Sequence, residues 1–194
     1  MPSPAADTFS PPARGWRAAA APPAPPAALR GWLRDTASLT ARIRARCGHF
    51  SVTVLSQRLA RPLPDEAHAL GISPARRAWL REVLLRADDV PVVYARSWHP
   101  IAPPARRMAA FFRSGHAPLG QILFAHPRID RSPLKMRCID ARDARYHRAL
   151  ACARIAPESH PHPLWARHSR FAHPAGCAVL VCEIFLPAIA CLAP

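Results

Sequence analysis

Two strand-like runs each carry one charge on an otherwise apolar face, and this constrains the fold more than any other feature of the chain. In Trp79-Leu80-Arg81-Glu82-Val83-Leu84-Leu85, alternation puts Arg81 on one face with Trp79, Val83 and Leu85. In Ala178-Val179-Leu180-Val181-Cys182-Glu183-Ile184-Phe185-Leu186, Glu183 shares a face with Val179, Val181 and Phe185. A charge in that setting is costly unless it meets a partner or a ligand. One cation and one carboxylate facing the same interior suit a small, anionic, hydroxylated molecule. The structural alternative is a buried ion pair, Arg81 with Glu183 or with its neighbour Glu82.

The rest of the chain reads as hairpins with a few helices. Leu29, Trp32 and Leu33 begin a helical pattern, and Asp35 to Ser38 offers capping groups for a second helix carrying Leu39 and Ile43, with Gly48 beyond its end. Phe50 to Leu59 alternates as a strand, and Arg61 to Ala78 is a proline-punctuated connection with about one turn of helix. Strands Ala78 to Arg86 and Pro91 to Trp98 join at Asp88-Asp89, a pair that tight turns tolerate. Helices are expected from Pro103 to Phe112 and from Pro118 to Phe124, and a strand from Leu134 to Ile139. Leu164 to Phe171 and Ala178 to Leu186 form a last hairpin around Pro174-Ala175-Gly176. Hairpin-paired strands outnumbering helices predict an α+β fold with one antiparallel sheet.

Composition sets outer limits. The 194 residues suit a single domain, spanning 27–194, behind a leader at 1–26 whose Pro and Ala content predicts disorder. The segment 142–163 is polar, His-rich and Pro-rich, and reads as a flexible insertion. A formal charge of +15 invites nucleic acid, but Lys135 is the only lysine, and the arginines are scattered without a dense run or reading motif. Loose polyanion binding at low salt fits this pattern better than specific nucleic-acid recognition. The six cysteines show no metal-finger spacing and read as reduced thiols of a cytoplasmic protein. The leader has no continuous apolar core for a secretory signal, and Cys177 to Leu192 is too short to span a bilayer.

Four strings then carry a resemblance: WLREVLLRADDVP (Trp79 to Pro91), APLGQILF (Ala117 to Phe124), LWARHSRF (Leu164 to Phe171) and CEIFLPA (Cys182 to Ala188). In order and approximate spacing, over roughly Leu29 to Ala188, they resemble the chorismate lyase family, whose members make 4-hydroxybenzoate for ubiquinone. The resemblance implies one antiparallel sheet with helices packed against it and an internal ligand cavity. It implies cleavage of chorismate to 4-hydroxybenzoate and pyruvate by a monomer, with no cofactor, no metal and no membrane span. It also implies roles: Arg81 holds the ring carboxylate, and Glu183 lies at the hydroxyl end of the ring as the catalytic residue. Backbone amides of Leu39 and Leu119 complete the substrate contacts. At Leu39 a member of that family carries methionine, a change that alters a pocket wall slightly and preserves a backbone contact.

Other candidates read as structural. Trp165, Arg167, Ser169 and Phe171 share one face of their strand, and Arg170 shares the other with Leu164 and His168. A second substrate carboxylate needs a cation, yet Arg167 and Arg170 read better as surface strand arginines. His160-Pro161-His162 with His168 lacks the ligand count of a metal site and reads as a polar loop. Two rival functions stay open: a non-catalytic small-molecule sensor of the same fold, as in effector domains of transcription regulators, and a basic nucleic-acid-binding protein.

Overall fold

A computed structural model describes residues 15–18, 25–101, 128–160, 162–174 and 177–192. The helices expected at Pro103 to Phe112 and Pro118 to Phe124 lie outside the described residues, and so does Leu119. The sheet is built around a hairpin. Strands β3 (Ala78–Ala87) and β4 (Val90–Pro100) turn at Asp88 and Asp89, whose φ angles of 49° and 63° are left-handed. Asp accepts that conformation, and a two-residue turn of this kind follows the natural twist of paired strands. The Asp88 carboxylate also accepts the His49 N–H at 2.7 Å, fixing the start of β2 (Phe50–Ala60), which pairs with β3.

On the other side β8 (Cys177–Phe185) pairs with β4, and β7 (Leu164–His173) pairs with β8. The outer edge of β7 takes both the two-residue β5 (Asp130–Arg131) and β6 (Lys135–Ile139). A short β1 (Arg17–Ala18) adds to β6. The main path runs β1-β6-β7-β8-β4-β3-β2, and every pairing among the described residues is antiparallel.

Both faces of the central strands are covered. Helices α1 (Ala27–Arg34) and α2 (Leu39–Arg44) lie on one, where Trp32, Leu33, Leu39 and Ile43 join Val83, Leu85, Val93, Trp165 and Phe185. On the other, Leu70 of α3 (Pro64–Leu70) meets Leu80, Trp98 and Leu180, and Tyr146 and Leu150 of α4 (Ala144–Ala153) join Leu84, Tyr94 and Ile184. The α+β architecture read from the sequence is the one observed. Ser38 caps α2 as expected, its hydroxyl accepting the Ala41 N–H. Among the described residues no helix is long and apolar enough to cross a membrane.

Alternation sends Arg81 and Glu82 to opposite faces, so their proximity in sequence makes no pair of them. Glu82 sits on the α4 face, accepting from Arg148 at 3.1 Å, from Ser56 at 2.9 Å and from the Tyr94 hydroxyl. Burial alone would raise its carboxyl, but the bonds from Arg148, Tyr94 and Ser56 outweigh it and hold the pKa down to about 2.

Two segments take defined structure where they are described. Within 142–163, α4 occupies Ala144–Ala153, opened by Asp143 as its cap, with Tyr146, Ala149 and Leu150 buried on one side. Their spacing is the i, i+3, i+4 stripe that a docked helix needs. Arg145 is also buried there, held by Asp143 at 2.8 Å and by Asp65 of α3 at 2.8 Å. The leader is likewise tied down at residues 15–18. Trp16 donates its indole N–H to Asp65 at 2.7 Å and stacks on His168 with ring centroids 3.9 Å apart. An aromatic ring with a polar handle can make both contacts at once.

Two predictions follow from that contact. Trp16→Ala removes a stacked ring and a hydrogen bond, so it should cost roughly 2 kcal/mol, a fall in melting temperature of about 4–8 °C. An unchanged melt would show the leader to be dispensable. The second concerns His168, whose buried Nδ1 has no hydrogen-bond partner. Burial, with Lys135 adding to it, lowers its pKa from 6.5 to about 4. Between those values the unfolded chain binds the proton and the fold does not, so stability falls as pH drops from 6.5 toward 4. His168→Phe keeps the stack without the titration and should flatten that part of the profile in urea melts.

Candidate active site

The face covered by α1 and α2 is incompletely filled. Its gap is a small cavity with an open mouth. The floor is a lattice of cross-strand rows. Arg81, Ser97, Val181 and Ser169 lie opposite one another across β3, β4, β8 and β7, and Val83, Ala95, Glu183 and Arg167 form the next row. Ser38, Leu39 and Thr40 at the start of α2 contribute to the wall, and Arg131 and Phe171 close the β7 side. Arg81 is 4% exposed, and burial lowers the pKa of its guanidinium. The lining is thus apolar over Val52, Val83, Leu85 and Val181, with charge and hydroxyls at the ends. Such a lining orients a small polar anion.

Glu183 is not paired as the sequence suggested it might be in a structural fold. Its carboxylate accepts from Arg167 Nε at 2.5 Å. Arg167, read from sequence as a surface arginine, is 1% exposed, and its Nη1 also donates to the backbone carbonyls of Trp32 at 2.6 Å and Asp35 at 2.7 Å. The correction has a physical reason. Alternation placed Arg167 on the Trp165 face, but only the β7–β8 register reveals that Glu183 stands opposite it. Arg170, on the other face, is half-buried. His168 stacks on Trp16, and among the described residues no three His, Cys, Asp or Glu side chains gather into a metal site.

Arg81, Glu183 and Leu39, the expected site residues within the described segments, therefore meet at one cavity. Sequence reasoning missed Arg131, Ser169 and Phe171 as parts of its wall. Arg131 Nε donates to Ser169 Oγ at 2.8 Å, its Nη1 donates to the Thr36 carbonyl, and its guanidinium carbon lies 5.3 Å from the Phe171 ring centre. For Ser169 and Phe171 the signal was their shared face with Arg167; for Arg131 none existed, since a two-residue strand has no period to read.

A two-faced antiparallel sheet with a charged cavity beneath helical cover defines a small-molecule-binding domain, and the comparisons narrow it. The family model described as chorismate lyase matches residues 13–191. A probable chorismate pyruvate-lyase of Aromatoleum aromaticum is 56% identical over 170 residues, covering 87% of this chain and 90% of that protein. One from Azoarcus sp. is 50% identical over 169 residues, covering 83% and 85%. This chain belongs to the chorismate lyase family, a family of lyase enzymes. Among solved structures, the effector domain of PhnF from Mycobacterium smegmatis is similar with a TM-score of 0.54 at 15% identity, covering 79% of this chain and 90% of that one. The C-terminal domain of the histidine utilization repressor from Pseudomonas syringae reaches 0.51 at 12% identity, covering 72% and 93%. At those identities the two share the fold alone.

The Arg167 bridge generates a prediction. Arg167→Met leaves the Glu183 carboxylate and two carbonyls of the α1–α2 connection without their donor. Breaking a buried pair in this way should cost about 3–5 kcal/mol of stability, measured by denaturant unfolding. A loss below about 1 kcal/mol would show that the bridge is incidental to the fold.

Proposed function

We propose that this protein cleaves chorismate to 4-hydroxybenzoate and pyruvate, the step that commits chorismate to ubiquinone, in the cytoplasm and without a cofactor. The observation that carries this reading is the convergence of Arg81 and Glu183 on one cavity in a chain of the chorismate lyase family. Chorismate is poised for the reaction. Breaking the bond between C3 and the ether oxygen releases enolpyruvate, and the C4–H electron pair becomes the C3–C4 double bond that completes the aromatic ring. The C4 proton passes to the departing enolpyruvate, which tautomerises to pyruvate. Aromatisation supplies the driving force, so positioning and charge placement are the protein's main contributions.

In this reading the Arg81 fork binds the ring carboxylate in bidentate fashion, buried where water competes poorly. Glu183 accepts the 4-hydroxyl and assists the C4 proton on its way, with Arg167 keeping the carboxylate oriented. The amides of Leu39 and Leu119 hold substrate oxygens, a role that rests on the family pattern. The direct test is incubation with chorismate, following 4-hydroxybenzoate by absorbance and pyruvate by a coupled dehydrogenase. Arg81→Ala should lower kcat/KM by the equivalent of roughly 2–5 kcal/mol, the scale of losing a desolvated charge pair, and Arg81→Lys should restore only part of it. A folded Arg81→Ala variant with near-normal kcat/KM would refute the assignment.

A further inference from the structure

Chorismate carries two carboxylates, and the roles given above account for one. The second belongs to the enolpyruvyl group, whose ether leaves the ring at C3, next to the hydroxyl-bearing C4. With the ring carboxylate at Arg81 and the hydroxyl at Glu183, the second carboxylate must lie at the Glu183 end of the cavity. Rows on the sheet show what stands there. From Arg81 to Ser169 the row crosses three strand spacings, about 14 Å. Glu183 projects from β8, two strands from Arg81 and one from Ser169, in the neighbouring row. Arg131 reaches in at that far end, its Nε 2.8 Å from Ser169 Oγ.

We propose that Arg131 is the anchor for the enolpyruvyl carboxylate and so sets the preference of this cavity for a dianion. This rests on the reading of chorismate as substrate and adds a residue to it. Three observations support the assignment. Arg131 lines the same cavity as Arg81 and Glu183 and is held there by Ser169 and the Phe171 ring of the same wall and by the Thr36 carbonyl, so its side chain is already ordered before a ligand arrives. Glu183, the acid among the described lining residues, already has Arg167 at 2.5 Å, so the lining arginines give the cavity a positive surplus. Burial lowers the pKa of Arg131, and Glu183, Arg167 and Asp35 act on it electrostatically, in keeping with a place at the hydroxyl end. A cation there also faces the negative charge that develops on enolpyruvate as the C3–O bond breaks, so its attraction grows toward the transition state.

The experiment compares a dianion with a monoanion. Wild-type protein, Arg131→Met, Arg131→Lys and Arg81→Ala are each assayed for chorismate turnover and titrated calorimetrically with 4-hydroxybenzoate, which has the ring carboxylate and hydroxyl but no enolpyruvyl group. Arg131→Met should lower kcat/KM for chorismate about 100-fold while changing the dissociation constant of 4-hydroxybenzoate less than about 3-fold. Arg131→Lys should recover part of the turnover, and Arg81→Ala should weaken both ligands. Retained 4-hydroxybenzoate affinity certifies that the variant cavity is folded, since a merely structural arginine would lose both together. Equal losses for the two ligands, or unchanged turnover in Arg131→Met, would overturn the assignment and leave the lyase reading standing. If the wild-type protein neither cleaves nor binds chorismate, the lyase reading fails, and the Arg131 assignment fails with it.

Discussion

One guanidinium holds the two halves of the site together. Arg167 leaves the sheet, takes the Glu183 carboxylate with Nε and the carbonyls of Trp32 and Asp35 with Nη1. The carbonyls at the end of α1 carry the negative end of its dipole, so a cation is favoured there on electrostatic grounds as well. Because the α1–α2 connection is pinned to β7, the start of α2 hangs over the sheet with Ser38, Leu39 and Thr40 against the cavity. The same contact restrains the acid proposed to act on substrate, so the placement of the cover and the aim of the carboxylate have one cause.

Two kinds of electrostatics lie on opposite faces of this sheet. Beneath α3 and α4 the charges are saturated with partners: Glu82 with Tyr94, Ser56 and Arg148, and Arg145 with Asp143 and Asp65. These pairs tie α3 and α4 to the sheet. Beneath α1 and α2, Arg81 and Arg131 also border an open volume. A strand that alternates Arg81 with Glu82 can serve both purposes at once, since neighbouring side chains never compete for the same space.

What could be read from the chain depended on range. Arg81 and Glu183 declared themselves because alternation is a property of a few consecutive residues, and it survives into the sheet unchanged. The β3–β4 turn was legible in Asp88-Asp89 for the same local reason. Arg167 was misread because its partner is fixed by strand register, which depends on the whole hairpin. The α4 stripe of Tyr146, Ala149 and Leu150 was present but diluted by polar and histidine residues, so composition argued for a loop while spacing argued for a helix. Trp16 gave no periodic signal at all: one aromatic in a proline-rich stretch finds its Asp65 and His168 partners only after distant elements have met.

The two-residue length of β5 separates two kinds of heritable change. Arg81 sits mid-strand in β3, paired on both sides and 4% exposed, where substitution disturbs the core around Val83 and Leu85. Arg131 sits on an edge segment that pairs with β7 through Ala172 and Phe171 alone. Edge segments open locally at far lower free energy than central strands and tolerate insertion and exchange. A lineage built on this scaffold can therefore keep the Arg81 end of the cavity for as long as the core must fold, while the Arg131 end drifts toward other charges and other side groups.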